Sequence, residues 1–348
     1  MARSEFLQRL GITHPIIQAP MGGGFTPPEL VAAVSNAGAL GSLGAPYLSP
    51  AQITEAAEKI RALTDRPFGI NLFAGGYAAQ SHIDPAPMLA LLGEVHEKLS
   101  IAPPVLPPLA PNPFDAQLEA VLAARPKVFS FTFGMPDAGS IARLKQQDIV
   151  ILGTATTVGE AQLLAAVGVD AVVAQGEEAG AHRGTFAGPF EDAMVPTLDL
   201  VEAIARTVKI PVVASGGLMD GRDIAAALER GAVAVQLGTA FLACPECGAP
   251  AAHKRALLEA HQDTTVITRA FSGRQARGLR NAFIDAVKPD MILPFPQQND
   301  LTRPMRGAAA KQDQPDYLSL WAGRGVARIR QMPAAELVRS LVAEIVSA

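Results

Sequence analysis

Residues 211–238, PVVASGGLMDGRDIAAALERGAVAVQLG, contain the pattern that decides the fold. Two short apolar runs, 211–215 and 232–238, lie on either side of a stretch whose apolar residues recur at helical spacing. A strand, a helix and a second strand in this order join two parallel strands, because an antiparallel pair needs only a tight turn between them. This segment therefore predicts one βαβ unit.

The same alternation of strand and helix patterns extends through most of the chain. Short apolar runs predict eight strands, at residues 14–19, 39–43, 68–73, 128–133, 149–153, 171–175, 211–215 and 232–238. Amphipathic stretches predict helices at residues 28–37, 49–63, 137–146, 158–167, 197–207 and 221–230. The strands are apolar on both faces, as expected where helices cover one side and a packed barrel interior lies on the other. The predicted fold class is α/β, a TIM (β/α)8 barrel with a smaller second (lid) domain.

An open, doubly wound sheet is the alternative fold. Its dinucleotide-binding form needs a G-x-G-x-x-G order after the first strand. Residues 20–24 of this chain read PMGGG instead. The closed barrel is therefore favoured over the open sheet.

Two segments do not fit the repeat. Residues 77–115 are an insertion within the barrel, and the proline-rich IAPPVLPPLAPNPF at 101–114 predicts an ordered loop rather than a helix. Residues 244–294 follow the last predicted strand and predict a smaller lid or substrate domain, since loops after barrel strands lie on the catalytic face. The barrel then comprises residues 1–243 and 295–348, with helices at its C-terminal end.

The pattern inside the predicted lid is mixed. A helical pattern covers residues 251–261, and a polar strand-like run covers 264–268. The basic stretch FSGRQARGLRN follows at 271–281. This segment therefore predicts a small mixed unit beside the barrel mouth.

Composition excludes several classes of partner. A hydrophobic fraction of 49% with 18% charged residues is typical of a globular protein with a large core. The net charge of -4 leaves no basic field to hold a phosphate backbone, so we expect no nucleic-acid partner. The chain has neither a signal-peptide pattern nor an apolar span of about 18 residues, so we expect a cytoplasmic protein without a membrane partner.

The two cysteines, Cys244 and Cys247, are spaced as C-P-E-C. Such a pair could be redox-active or half of a zinc site, but a structural zinc site needs four ligands. His253 and His261 lie too close to the pair for the zinc-finger pattern, and no second cysteine pair exists. We therefore predict no metal and interpret the cysteines as two thiols after a strand.

Glycines follow the last two predicted strands, where barrels commonly bind phosphate. Their N–H groups are accessible because no Cβ covers them, and a helix beginning near Asp220 would point its positive end at the same place. No Lys or Arg lies within either cluster, which suits a tightly bound monophosphate cofactor such as flavin mononucleotide (FMN). The predicted phosphate-binding residues are Ser215, Gly216, Gly217, Gln236, Leu237, Gly238 and Thr239.

Polar and small residues at other strand ends complete the predicted cofactor site. Asn71 and Gln175 close two strands and would direct their amides at the pyrimidine edge of a flavin. The segment Ala19, Pro20, Met21 and Gly22 would cover the flavin ring from the first strand.

The loop QGEEAGAHRGTF, residues 175–186, contains the best candidate for a catalytic histidine. His182 follows a buried strand and a run of small residues, so a flat ligand can approach the backbone there. A neutral imidazole with a pKa of about 6.5 can abstract a proton near neutral pH. A surface histidine bonded to a neighbour is the alternative interpretation.

Five motifs together resemble the nitronate monooxygenase family, formerly called 2-nitropropane dioxygenases. They are QAPMGG (18–23), GINLF (69–73), QGEEAGAHRGTF (175–186), ASGG (214–217) and QLGTAFLACPE (236–246). The resemblance spans nearly the whole chain. It implies a TIM barrel with a smaller second domain, bound FMN, and oxidation of alkyl nitronates by O2 to carbonyl compounds and nitrite.

The resemblance also implies roles for single residues. It places the catalytic base at His182 and flavin contacts at Asn71, Gln175, Gly180, Gly217 and Gln236 to Thr239. Residues 178–182 read EAGAH where relatives often have EAGGH, a departure that leaves the loop compact. Propionate 3-nitronate is one substrate that the resemblance implies, and an Arg or Lys of the lid would bind its carboxylate.

Other functions stay open at this point. A flavin-dependent enoyl-acyl-carrier-protein reductase of this barrel type would take electrons from NAD(P)H. Its carrier protein needs a basic surface, which Arg269, Arg274, Arg277 and Arg280 could form, although a clamp on the lid is the alternative role for them. A non-catalytic flavin-binding or regulatory barrel would act through partner contacts, but no repeat, charged tail or heptad supports it. The oligomeric state is open, with a homodimer as one option.

Overall fold

The structure is a computed structural model that describes residues 3–78, 80–261 and 264–347. Within these ranges the strands are β1 (Ile16–Gln18), β2 (Gly41–Gly44), β3 (Phe68–Phe73), β4 (Val128–Thr132), β5 (Val150–Ala155), β6 (Ala171–Gln175), β7 (Ala181–His182), β8 (Val212–Ser215), β9 (Ala234–Leu237), β10 (Thr265–Thr268) and β11 (Ala276–Leu279). The helices are α1 (Arg3–Leu10), α2 (Pro28–Asn36), α3 (Pro50–Leu63), α4 (Ala86–Lys98), α5 (Phe114–Ala124), α6 (Ala138–Gln146), α7 (Val158–Val167), α8 (Thr197–Thr207), α9 (Gly221–Glu229), α10 (Ala251–Leu258), α11 (Ala282–Ala286), α12 (Gln297–Lys311) and α13 (Ala334–Ser347).

The predicted barrel is confirmed. Parallel pairing joins eight strands in the order β1-β9-β8-β6-β5-β4-β3-β2. A parallel bridge between Ile17 and Leu40 connects the two ends of this order, so the sheet closes on itself. These eight strands are the predicted ones, with ends that differ by one or two residues.

The helices between the barrel strands begin where side chains can cap them. Ser49 and Gln52 form a reciprocal capping box at the start of α3, and the Asp137 carboxylate accepts from Ser140 N at the start of α6. The predicted helices included Ser49 and Asp137 as their first residues, whereas both lie just outside as caps. The six predicted helices are otherwise confirmed to within one residue.

The amino-terminal end of the barrel is closed by α1, which the sequence patterns did not predict. Phe6 and Leu10 of this helix are fully buried in one apolar cluster with Val128 and Val150, the first residues of β4 and β5. Arg9 of the same helix forms an ion pair of 2.8 Å with Asp170. Because α1 covers this end, a ligand on the barrel axis can bind only at the carboxyl end of the strands.

The insertion at 77–115 is only partly the predicted loop. Residues 99–113 contain neither helix nor strand, as predicted, but α4 lies upstream of them. Met88, Leu92 and Val95 of α4 are buried at helical spacing, and the high proline content of the insertion obscured this pattern. The predicted loop is therefore confirmed up to residue 113, whereas α4 was not predicted, and Ala79 lies outside the described residues.

The segment after β9 contains α10, β10, β11 and α11. The predicted helix 251–261 ends earlier, at Leu258, and the strand-like run 264–268 is β10. β11 pairs antiparallel with β10 on one side and with β7 on the other. Because β7 lies in the loop after β6, this small sheet joins residues 244–294 to the barrel, and the division into barrel and lid domains stays a prediction.

The C-terminal segment packs on the barrel's outer helices. α12 contacts α4 and α10, and α13 contacts α9 and α2. None of the helices within the described ranges has the length and hydropathy needed to span a bilayer.

Candidate active site

A cavity of about 540 Å³ lies at the carboxyl ends of the barrel strands. It brings together all the site residues predicted from the sequence. They are Ala19, Pro20, Met21, Gly22, Asn71, Gln175, Gly180, His182, Ser215, Gly216, Gly217, Gln236, Leu237, Gly238 and Thr239. The cavity has the size and mixed polarity of a cofactor or substrate site.

Other residues of the cavity wall were not predicted. They are mainly aromatic and basic side chains from distant segments, and include Tyr47, Phe73, Phe133, Arg303, Arg306 and Trp321. Phe73 and Phe133 are the last residues of two predicted strands, which is a signal that could have found them. Trp321 and the two arginines lie on segments without a recognisable motif, so only tertiary packing identifies them.

The His182 backbone is held from two sides. β7 pairs with β11, which sets Ala276 opposite His182. Gln175 Nε2 donates to the His182 carbonyl at 3.0 Å, and Gly184 N donates to Gln175 Oε1 at 2.7 Å. The Gln175 amide, predicted to meet a flavin edge, is thus already engaged on both of its polar atoms with the histidine loop.

The His182 ring lies in an apolar and cationic environment. Its Nε2 is 2.8 Å from Ser272 Oγ, and the rings of Phe73, Phe133, Phe295 and Trp321 have centroids 5.7 to 6.3 Å away. Burial, followed by the charges of Arg274 and Arg306, lowers the pKa of His182 from its usual 6.5 to about 3. The ring is therefore neutral at pH 7.

The loop before His182 has unusual backbone geometry. Ala181 has a φ of +60°, in the left-handed region that favours glycine. This is the alanine at which the sequence EAGAH departs from the pattern that the resemblance implied. Gly180 is required for a different reason, because a Cβ there would lie 2.5 Å from Gly323 N.

The two glycine clusters present unpaired main-chain donors at the cavity wall. Gly216 and Gly217 have φ values of +134° and +68°, and a Cβ on Gly217 would lie 2.8 Å from Glu178 Cβ. The backbone N–H groups of Gly217, Gly238 and Thr239 donate to no acceptor within the described residues. Unpaired N–H groups at a cavity wall are the donors that a phosphate monoester needs.

The N-terminal N–H groups of the helix predicted to face this phosphate site already have other partners. α9 begins after Asp220, whose carboxylate accepts from the N–H groups of Arg222 and Asp223 at 3.1 and 3.0 Å. The remaining Gly221 N–H donates to Glu344 at 2.8 Å. The prediction that this helix end serves the phosphate was therefore wrong, since carboxylates already neutralise it.

Asn71 keeps one polar atom for a ligand. Its Nδ2 donates to Ser130 Oγ at 2.9 Å, which orients the amide. Within the described residues no group donates to its Oδ1, which is also absent from the set of buried unpaired atoms. The side-chain oxygen of Asn71, Oδ1, is therefore open to the cavity.

The arginines of the predicted lid act mainly as clamps. The buried Arg277 donates to Glu177 O at 2.9 Å, and Arg274 donates to Thr185 O at 2.9 Å while lying 3.9 Å above the Phe133 ring. Arg269 donates to Gly273 O, and Arg280 pairs with Asp285. Of the two roles considered for these residues, these contacts favour the clamp over a basic docking surface.

Two arginines of α12 line the cavity instead. Arg306 donates to Asn299 O at 2.7 Å and to Asn299 Oδ1 at 3.0 Å, and its buried Nε has no partner among the described residues. Arg303 lies 5.8 Å from the centroid of the Tyr47 ring. Burial lowers the pKa of Arg306 to about 10, so it stays charged at neutral pH.

The cysteines are buried thiols after β9. Cys247 Sγ donates to Phe25 O at 3.1 Å, and burial raises the pKa of Cys244 to about 12. His253 is 3.2 Å from Trp321 O rather than directed at the thiols. Across the described ranges no group of three metal-binding side chains comes together.

Several known proteins are similar to this chain over nearly its full length. A family model described as nitronate monooxygenase matches residues 4–344. A Pseudomonas aeruginosa protein named nitronate monooxygenase is 43% identical over 353 residues, covering 98% of this chain and 99% of the relative. The crystal structure of nitroalkane oxidase from Streptomyces ansochromogenes has a TM-score of 0.91 at 41% identity and covers 98% of both chains.

A more distant solved structure shares the architecture. FabK from Thermotoga maritima has a TM-score of 0.78 at 28% identity, covering 99% of this chain and 96% of that one. The family model covers nearly the full length, and the Pseudomonas relative is far more similar in sequence than FabK. This chain therefore belongs to the nitronate monooxygenase family of oxidoreductases.

Proposed function

We propose that this protein is an FMN-dependent monooxygenase that oxidises alkyl nitronates with O2 to carbonyl compounds and nitrite. His182 is the base that allows it to use neutral nitroalkanes as well. One observation carries the proposal: a neutral imidazole and unpaired main-chain donors converge on the same cavity. Membership of the family supports the reaction type.

The residues of the cavity fit FMN. The N–H groups of Gly217, Gly238 and Thr239, with the Ser215 hydroxyl nearby, would hold its phosphate. The segment 19–22 and Gly180 would flank the flat ring, and the free Asn71 Oδ1 would meet a ring N–H. The cavity of about 540 Å³ lies within the range of cofactor sites, which is roughly 300 to 1,000 Å³.

FMN, when bound, supplies an electron acceptor that O2 can reoxidise. The chain's own residues bind the substrate and move one proton. A nitronate is already an anion and needs no base, whereas a neutral nitroalkane must lose its α-proton. The neutral His182 ring accepts that proton, and the nitronate anion formed beside it raises the pKa of the ring, because an opposite charge favours the protonated form.

The charges of the cavity favour an anionic substrate. Among the described residues of its wall there is no Asp or Glu, whereas Arg303 and Arg306 are both present. A nitronate with a second anionic group, such as propionate 3-nitronate, would place that group against the guanidinium groups of Arg303 and Arg306. The cations come from α12, outside the 244–294 segment that was expected to supply them.

A visible spectrum of the purified protein, followed by anaerobic mixing, tests the proposal. We expect a flavin spectrum that bleaches when a nitronate is added, and nitrite when air is admitted. Rapid bleaching by NADH without a response to nitronate would favour the enoyl-acyl-carrier-protein reductase. Protein that neither contains nor binds flavin would favour the non-catalytic barrel.

A further inference from the structure

The two ring nitrogens of His182 have different surroundings. Nε2 lies 2.8 Å from Ser272 Oγ, on the side of the ring that faces residues 270–274. Nδ1 forms no hydrogen bond with any described residue and does not belong to the set of buried unpaired nitrogens. Nδ1 is therefore the nitrogen that is open to the cavity.

The Ser272 hydroxyl has one proton and two neighbouring acceptors. Its Oγ is placed to donate to Arg274 O at 3.2 Å and accepts from Arg274 N at 3.3 Å. Within the described residues no other donor reaches Arg274 O. If the hydroxyl instead donated to His182 Nε2, that carbonyl would lose its partner and Nδ1 would carry a proton that no described residue accepts.

The other arrangement satisfies every group. When His182 Nε2–H donates to Ser272 Oγ, the hydroxyl proton is free for Arg274 O. Nδ1 then keeps its lone pair and directs it into the cavity. The hydrogen bond that one ring nitrogen of a histidine forms commonly selects its tautomer in this way.

We propose that Ser272 is a positioning residue that holds His182 in the Nε2–H tautomer, so that Nδ1 takes the α-proton of a nitroalkane. In this step the substrate C–H bond breaks and the proton bonds to Nδ1. The electron pair moves into the nitro group, which gives the nitronate. The inference rests on the proposed function for this step, whereas the tautomer itself is a property of the protein alone.

Ser272 is rigidly placed. It is buried, and the carbonyls on either side of it are bonded: Thr302 Oγ1 donates to Phe271 O at 2.6 Å, and Arg269 Nε donates to Gly273 O at 3.0 Å. Gly273 has a φ of +83°, and a Cβ there would lie 2.4 Å from Leu293 O. The backbone that carries the Ser272 hydroxyl is therefore fixed on both sides of this residue.

Nitrogen NMR of the flavin-loaded protein with ¹⁵N-histidine reads the tautomer directly. The chain has six histidines, so the His182 signals are identified by their absence from His182→Asn. We expect a pyrrole-type signal for Nε2 and a pyridine-type signal for Nδ1 at pH 7. In Ser272→Ala the two signals should move towards an average, because nothing then distinguishes the tautomers.

Kinetics of the same variants separate a positioning role from a structural one. We expect Ser272→Ala to slow anaerobic flavin reduction by a neutral nitroalkane about 10-fold or more, with nitronate oxidation changed far less, since only the former needs the base. Ser272→Thr keeps a hydroxyl and should restore both the tautomer and the rate with the neutral nitroalkane. Thr207→Val removes an exposed hydroxyl at the end of α8, outside the cavity wall, and should leave the tautomer and both rates near wild type.

Two results would overturn the inference. One is a pyrrole-type Nδ1 in the wild-type protein, and the other is a Ser272→Ala variant with unchanged tautomer and unchanged nitroalkane rate. A wild-type protein that oxidises no nitronate would refute the proposed function instead, and its NMR spectrum would still decide the tautomer.

Discussion

Ala181 has a backbone conformation that is unfavourable for alanine. Its φ of +60° brings its Cβ close to the backbone, a strain of about 1 to 2 kcal/mol in the left-handed region. Glycine would remove this strain but would lose more conformational entropy on folding. We expect Ala181→Gly to raise the free energy of unfolding by up to about 1 kcal/mol, measured by urea denaturation.

A matched control lies two residues earlier. Ala179 is buried and has no positive φ, so Ala179→Gly should destabilise the protein by about 0.5 to 1 kcal/mol or more. Equal destabilisation by both substitutions would contradict the strain at Ala181.

His182 should matter for one substrate form and not for the other. We expect His182→Asn to reduce turnover of neutral nitroalkanes by about 10²- to 10⁴-fold, the usual contribution of a positioned base. Turnover of a pre-formed nitronate should fall far less, and the flavin spectrum should persist. Steady-state kinetics with a nitroalkane and its own nitronate make the comparison within one variant, and equal losses on both would remove His182 from its role as base.

Arg306 should select for a second anionic group on the substrate. Its Nη2 is anchored by Asn299, and its charged side chain lines the cavity. We expect Arg306→Met to raise KM for propionate 3-nitronate about 10-fold or more, because a charge-assisted hydrogen bond is lost. The KM for ethyl nitronate, which has no carboxylate, serves as the control and should change much less.

At the scale of elements, the turn after β8 combines two demands on one glycine. Gly217 needs a φ of +68°, and its N–H faces the predicted phosphate. We expect Gly217→Ala to weaken FMN binding about 10-fold or more, measured by flavin fluorescence on titration, because the added Cβ displaces the turn against Glu178.

Gly188 provides the matched control for backbone strain. Its φ is +87°, yet no atom lies within 4 Å of the position that a Cβ would occupy, and it is not part of the cavity wall. Gly188→Ala should therefore cost similar strain without loss of flavin. Equal flavin loss in both variants would show that general destabilisation explains the effect.

The helices and strands themselves were largely predictable, because their apolar spacing is a local property. Val172 and Val213 belong to runs that are apolar at every position before a polar residue at the carboxyl end, as expected for buried parallel strands. α4 was the exception, since neighbouring prolines masked its buried positions. The occupied N-terminus of α9 was also missed, because Glu344 reaches it from 123 residues away.

For the molecule as a whole, His253 predicts a dependence of stability on acid. It is buried beside Trp321, and burial lowers its pKa from 6.5 to about 4. Between these pH values the unfolded chain binds a proton that the folded protein excludes, so stability falls as the pH decreases from about 6.5. We expect a loss of about 2 kcal/mol between pH 7 and pH 5 from this residue alone.

Urea denaturation at both pH values checks this dependence. His253→Gln keeps a hydrogen-bond donor for Trp321 O but cannot take up a proton. Between pH 7 and pH 5 the free energy of unfolding of this variant should fall about 2 kcal/mol less than that of the wild type. Parallel pH profiles for the two proteins would be inconsistent with a depressed pKa at His253.

The location of the site was predictable for a reason that belongs to the whole barrel. The carboxyl ends of parallel strands converge, so residues at 71, 175, 215 and 236 had to meet. Trp321 and Arg306 come from segments with no repeat and no motif, and only the packing of the C-terminal segment on the barrel brings them there. Backbone strain at Ala181 was likewise invisible, because spacing carries no information about φ.

The pairing of β7 with β11 couples the position of residues 270–279 to the hydrogen bonding of His182. His182 lies on one strand of this pair, and Ser272 lies just before the other. Any motion that lifts residues 270–279 away from the barrel must break the ladder and separate the imidazole from its serine. If the cavity opens in this way to exchange its ligand, His182 loses its hydrogen bond to Ser272 while solvent enters. The bond forms again only when the segment closes.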